Sequence, residues 1–275
     1  VHSLIPIVSL DLPELEPYRT MRRTEEHRTR GIFVAEGDKV VHRLLASSLE
    51  VISLLIPPER LPEFVPTLEQ RSQIISVYTA PKTVLESLTG YPMYQGVLAV
   101  GIVPPSPSLI DIANTLDRPP LLAALEGVSN AENVGVIIRN AAAFGLDGVI
   151  IGESSCSPYL RRAVRNSMGA AFNLPILEST NLTRTLLNLK ALGIRLVAAH
   201  PHTQQITLGQ APLHRGSCIV LGSEGDGITP NTLALCDDHV AIPMHRDVDS
   251  LNVACASAAF FFEFRRQHPA LHPPL

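Results

Sequence analysis

The chain alternates between short, wholly apolar runs and longer stretches in which apolar positions recur every three or four residues. Short apolar runs bounded by turn residues predict buried strands, and the three-to-four spacing predicts helices with one buried face. Near the start, Ile32-Phe33-Val34-Ala35-Glu36 is a strand candidate closed by Gly37, and Val40, Val41, Leu44 and Leu45 then share a helical face. Val51–Ile56 is a second strand, stopped by Pro57-Pro58. Runs at 74–77 and 96–100 predict two more, which makes residues 1–103 a small α/β module. Residues 104–120 begin with Pro104-Pro105-Ser106-Pro107 and end with Pro119-Pro120. Prolines cannot donate to a ladder and stiffen extended chain, so a linker is expected there, with a short helix at 109–116. From residue 121 to 275, strand candidates Leu121–Leu125, Gly148–Ile151, Arg195–Ala199, Ser217–Leu221 and 239–242 alternate with helical patterns such as 136–144 and 182–192. That alternation predicts a parallel sheet covered on both faces, with ligands taken by the loops beyond the carboxyl ends of its strands.

Composition narrows the class. At 275 residues, 45% hydrophobic and 17% charged, the chain can bury a core in each of two modest domains. A net charge of -4 does not mark a nucleic-acid binder, although affinity for nucleic acid follows local basic patches rather than the whole-chain sum. Two such patches exist. One is 18–30, with Arg19, Arg22, Arg23, Arg28 and Arg30 against Glu25 and Glu26; the other holds Arg161, Arg162 and Arg165. The four cysteines, Cys156, Cys218, Cys236 and Cys255, lie far apart without CxxC spacing or a paired histidine cluster, so neither a disulfide scaffold nor a structural zinc site is expected. No apolar run approaches the roughly 20 residues of a membrane span, and the first residues, with Pro6 and Pro13, do not resemble a signal peptide. The expected setting is the cytoplasm, with no membrane partner.

Unusual residues gather in three loops. The first follows Leu121–Leu125 and contains Asn133, Gly135 and Arg139; Asn133 suits a helix N-cap, and an arginine among Ala141, Ala142, Ala143 and Phe144 is costly to bury without an anionic partner. The second follows Ser217–Leu221 and reads Gly222-Ser223-Glu224-Gly225-Asp226-Gly227. Its glycines let backbone approach a ligand closely, but the spacing is neither a dinucleotide fingerprint nor a Walker loop. The third is Ile242-Pro243-Met244 followed by Ser250-Leu251-Asn252-Val253, with Ser250 placed to cap a helix of small residues. Each loop alone has an ordinary structural explanation.

Taken together, Asn133-x-Gly135-x-x-x-Arg139, Leu221-Gly222-x-Glu224-Gly225-x-Gly227 and Ile242-Pro243-Met244 with Ser250-Leu251-Asn252-Val253 resemble, in order and spacing, the three signature motifs of the SpoU (TrmH-like) branch of the SPOUT RNA methyltransferases. Phe33-Val34-Ala35-Glu36-Gly37 resembles the start of the ribosomal-protein-like substrate-binding domain that many of these enzymes carry. The resemblance implies an α/β fold: a SPOUT-type parallel sheet over 121–275 with a C-terminal deep trefoil knot, and a small N-terminal α/β domain over 1–103 that binds RNA. It implies a homodimer through the knotted region and transfer of a methyl group from S-adenosylmethionine to a ribose 2′-hydroxyl, leaving S-adenosylhomocysteine. Ribosomal RNA is the expected acceptor, with transfer RNA, or an idle RNA-binding module of the same fold, as alternatives.

By position, the resemblance places Arg139, Asn133, Glu224, Ser250 and Asn252 in the catalytic site. The donor would lie against Leu221, Gly222, Gly225, Ile242, Met244 and Leu251, with Ala199 and His200 bordering the same pocket. Arg139 would orient the target phosphate or hydroxyl, since a guanidinium stays protonated in proteins and is an awkward base. Glu224 would position Arg139 or the partner strand. Arg161, Arg162 and Arg165 are expected to contact RNA phosphates. Two departures from the family pattern stand out: Ala254-Cys255-Ala256 where a serine is more frequent, and Asn130 in place of a proline-containing approach to the first motif.

Overall fold

A computed structural model describes residues 2–89, 96–114, 116–203, 206–246 and 248–268. Two compact units share the chain. The first comprises Val1–Pro105 and Tyr159–Asn173, the second Ser106–Pro158 and Leu174–Leu275.

The first unit is built on strands β1 (His2–Pro6), β2 (Ile32–Glu36), β3 (Val51–Ile56), β4 (Ile75–Thr79) and β5 (Leu98–Ile102), in the order β1-β4-β3-β5-β2. β1, β4 and β3 run parallel; β5 is antiparallel to both its neighbours. Helices α1 (Glu16–Arg19), α2 (Thr24–Thr29), α3 (Asp38–Ala46), α4 (Leu61–Glu69) and α5 (Lys82–Thr89) connect them. Successive strand residues face opposite sides of a sheet. Phe33, Ala35 and Ala99 accordingly join one core with Val41, Leu44 and Phe64, while Ile32, Val34, Leu98 and Val100 join another with Leu15, Tyr18 and Leu85.

The second unit carries α6 (Leu109–Asn114), β6 (Leu121–Leu125), α7 (Ala131–Phe144), β7 (Gly148–Ile151), β8 (Ile176–Glu178), α9 (Leu182–Ala191), β9 (Arg195–Ala199), β10 (Ile206–Thr207), β11 (Ser217–Leu221), α10 (Pro230–Leu235), β12 (Asp238–Ala241) and α11 (Val253–Gln267); the intervening α8 (Arg161–Asn166) belongs to the first unit. Its seven strands are all parallel, in the order β10-β12-β9-β11-β6-β7-β8. Leu122, Ala124, Cys218 and Val220 pack with Ile112 of α6 and with Leu182, Leu186 and Leu189 of α9. By alternation Leu121, Ala123 and Leu125 face the other side, where α7 and α11 touch the sheet and each other. No helix among the described residues is long and apolar enough to cross a membrane.

The structure departs from the sequence reading in several places. The proline-rich stretch is not a bare tether: Ile112, on α6 within it, is buried under the second sheet. Residues 159–173 were expected in the C-terminal half, yet Tyr159, Val164 and Phe172 are buried in the first unit's core, with Tyr159 and Phe172 rings 5.7 and 5.5 Å from Phe33. The last major strand begins at Asp238 rather than 239 and ends at Ala241, which leaves Ile242 in the following loop. β1, β8 and β10 have no counterpart in the hydrophobic pattern; β8 and β10 have only three and two residues.

Candidate active site

An all-parallel sheet brings the carboxyl ends of its strands to one edge. Because β12, β9, β11 and β6 are consecutive neighbours, the chain leaving Ala241, Ala199, Leu221 and Leu125 emerges side by side. A cleft opens there, and Ala199, His200, Leu221, Gly222, Gly225, Ile242, Met244 and Leu251, all expected from the sequence, line it together with Glu224 and Ser250. Asn133, Arg139 and Asn252 do not line it; Asn133 and Asn252 are tied to its rim through Glu224.

The glycine loop is shaped by its own backbone. Ser223 donates to Gly227 O at 3.0 Å and Gly227 donates back to Ser223 O at 3.2 Å, closing a tight turn. Inside it, a Cβ on Gly222 would lie 2.2 Å from the carbonyl carbon of Gly227, so no other residue fits without moving backbone. Gly227 itself has φ +70°, a conformation that L side chains rarely adopt.

Asn133 stands at the third residue of α7 rather than at its cap; the helix starts two residues earlier, with the Asn130 side chain accepting from Glu132 N at 2.8 Å. Freed from capping, Asn133 donates its amide Nδ2 to Glu224 Oε1, and its Oδ1 accepts from Asn252 Nδ2 at 3.1 Å. Asn252 in turn uses its Oδ1 to cap α11, accepting from Ala254 N at 2.9 Å and Cys255 N at 3.3 Å. The cap role expected of Ser250 therefore falls to Asn252, two residues on. One hydrogen-bonded line thus joins the three motif loops, from the α11 cap through Asn252 and Asn133 to Glu224. Each amide has its oxygen committed on one side and its nitrogen on the other, which fixes both flip states.

Arg139, on the same helix as Asn133, is exposed and makes no hydrogen bond or ion pair among the described residues. Glu224, expected to position it, is held by Asn133 instead. Next to Arg139, Asn140 donates to Ala254 O at 2.9 Å and Ser257 Oγ at 3.0 Å, so α7 and the start of α11 are fastened together behind the arginine. Of the basic helix, Arg161 and Arg165 both bond the buried Glu36 carboxylate, Arg165 at 3.1 Å, whereas Arg162 is exposed.

The model of the SpoU rRNA Methylase family matches residues 120–262. The chain belongs to that family. A relative in Mycobacterium bovis, called an uncharacterized tRNA/rRNA methyltransferase, is 35% identical over 270 residues, which is 96% of this SpoU chain and 92% of the relative. The fold is shared with an AdoMet-bound rRNA methyltransferase of Sinorhizobium meliloti at TM-score 0.82 and 23% identity, over 96% of this chain and 98% of that one. It is shared equally with the SpoU methyltransferase AviRb of Streptomyces viridochromogenes, solved with AdoMet, at TM-score 0.81 and 22% identity, over 94% of this chain and 99% of that one.

Several residues of this candidate site are not singled out by the sequence motifs. His202 and Asp226 line the cleft. His200 sits between His202 and His239, with ring centres at 5.9 and 6.0 Å; burial first, then these two neighbours, hold its pKa below the ordinary histidine value. Glu126 figures in the sequence only as part of the first loop. A carboxylate directly after five buried apolar residues is the available signal.

Proposed function

We propose that this protein transfers a methyl group from S-adenosylmethionine to a ribose 2′-hydroxyl of RNA, ribosomal RNA in the first instance. The observation that carries the reading is the line Asn252–Asn133–Glu224, which gathers residues of all three motif loops at the rim of one glycine-walled cleft.

The cleft suits the donor. Leu221, Ile242, Met244 and Leu251 offer apolar surface to the flat faces of adenine, and Leu251 keeps 43% of its surface exposed although it is apolar. The loops at 222–228, 242–246 and 248–251 border the cleft and offer backbone N–H and C=O groups for adenine's polar edge, and the absent side chain at Gly222 lets the first of them close on itself. Bound there, the donor supplies an electrophilic methyl on a sulfonium sulfur. Arg139, with no partner in the described chain, orients an RNA phosphate or the attacked hydroxyl; its charge is permanent, so it serves as an anchor rather than a base. Glu224, Asn133, Ser250 and Asn252 hold the acceptor's approach, where alignment supplies much of the rate.

Other features of the chain fit the same function. The C-terminal segment, whose α11 packs against α7 and β11, is read as the trefoil-knotted part of the fold. Exposed Ala142, Ala143 and Phe262, the last edge-on to Phe144 at 6.2 Å, support a homodimer through the same helices. The first unit is read as a ribosomal-protein-like RNA-binding domain, with Arg162 and the 18–30 segment facing phosphates. Four free cysteines suit the reducing cytoplasm.

The test is to incubate the protein with labelled donor and total RNA from a strain lacking it, then map the modified nucleotide. A 2′-O-methyl group in ribosomal RNA is expected. Methylation of a base would refute the reaction, and a site in transfer RNA would move the substrate. Arg139→Ala is expected to abolish turnover while donor affinity, measured by calorimetry, stays within about twofold.

A further inference from the structure

Glu126 directly follows strand β6 and lies outside the three motifs, yet it meets the glycine loop at both of its ends. Its backbone N–H donates to Leu221 O at 2.9 Å, immediately before Gly222. Its carboxylate accepts from Thr229 N at 2.8 Å and Thr229 Oγ1 at 2.9 Å, immediately after Ile228, and from Thr232 Oγ1 at 2.6 Å. Thr229 also caps α10, accepting from Thr232 N at 3.3 Å.

A loop whose ends are fixed loses far less freedom when a ligand orders it than one whose ends wander. Residues 222–228 have only the Ser223–Gly227 pair and the Asp226 N to Ser223 Oγ bond of 3.0 Å to shape them internally. Neither of these fixes where the loop stands relative to β6. The Glu126 backbone N–H holds the first end and its carboxylate the last, while Asn133 holds Glu224 between them. Three donors converge on the carboxylate, and charge-assisted hydrogen bonds are roughly twice as strong as neutral ones. A glutamine in its place would keep one acceptor oxygen and present an N–H to a neighbouring donor.

We propose that Glu126 is a positioning residue that sets the donor-receiving shape of the glycine loop by clamping its two ends. The role rests on the donor-binding reading of the cleft, but the clamp can be measured without donor. In the protein alone, hydrogen exchange of the 222–229 amides is expected to quicken at least about tenfold in Glu126→Gln, while the core strands β6 and β11 stay protected. Affinity for S-adenosylmethionine by calorimetry is expected to fall about tenfold, and in turnover the loss should appear in KM for the donor rather than in KM for RNA. Thr232→Val, an isosteric change that deletes one of the three bonds, is expected to give a smaller shift of the same kind, and it guards against a Glu126 variant that fails to fold. Unchanged loop exchange in both variants overturns the clamp, as does a wild-type donor affinity retained by a variant with a loosened loop. A wild-type protein that binds no donor would instead overturn the donor reading, and the exchange measurement would still decide the clamp.

Discussion

Gly222→Ala tests the geometry of the cleft most directly. The new Cβ would stand 2.2 Å from Gly227 C, 2.4 Å from Ile228 N and 2.5 Å from Gly227 O, all of them backbone atoms that no rotamer change can move aside. Carbon atoms settle at about 3.5 Å, so the opposite limb of the loop has to retreat by about 1 Å. That displacement disrupts the two bonds that close the turn, Ser223 N to Gly227 O at 3.0 Å and Gly227 N to Ser223 O at 3.2 Å. At a net contribution of about 1 kcal/mol each, the closed loop loses about 2 kcal/mol. If the donor needs the closed loop, its dissociation constant rises about 30-fold, since about 1.4 kcal/mol is a factor of ten. Titration calorimetry with S-adenosylmethionine reads this, alongside thermal melting to show that the sheet is intact. Gly209→Ala is the control, because its Cβ would meet nothing within 4 Å and the residue lies away from the cleft. A Gly222→Ala protein that folds and binds donor like the wild type refutes the account of the loop.

Other outcomes follow from the same contacts. Asn252→Ala removes the cap of α11 and the bond to Asn133 together, so stability should fall by about 1 kcal/mol in a denaturant titration and turnover should drop as Asn133 and Glu224 lose their alignment. His200, and His27 in the first unit, both have pKa values held below 6.5, chiefly by burial. The unfolded chain then binds more protons than the folded one, so stability is complete above pH 6.5 and is lost as pH falls toward the depressed values; melting curves across that window should show the decline, shallower in His200→Asn. Among the cysteines, burial raises Cys156 to about 11 and Cys236 to about 12, and Cys218 is raised further still, whereas Cys255 is exposed. Alkylation at pH 8 followed by peptide mapping should mark Cys255 first; faster labelling of Cys156 would contradict its burial.

What the sequence disclosed follows from how local each feature is. β6, β7 and β11 are buried at every position, so they appear as uninterrupted apolar runs, and the glycine loop of the cleft follows because it directly succeeds β11. β8 and β10 are too short to carry a period. Residue type alone does not decide the caps, because Asn130 and Asn133, like Ser250 and Asn252, are equally suited to capping, and the choice depends on where the helix begins in space. Arg161 and Arg165 looked free because their partner, Glu36, lies 125 and 129 residues away. Glu126 carries no local signal of its partners for the same reason, with Thr229 and Thr232 lying 103 and 106 residues downstream.

Tyr159–Asn173 gives the gene a different logic from a pair of beads on a string. Trimming the reading frame at the proline-rich stretch would yield an N-terminal product missing Tyr159, Val164 and Phe172, with Phe33 stripped of its aromatic neighbours and Glu36 of its arginines. The C-terminal product would carry that same apolar segment without the core it was shaped to fill. A cut at the proline-rich stretch therefore does not separate the two units, because the first unit's core is completed from within the second half of the chain.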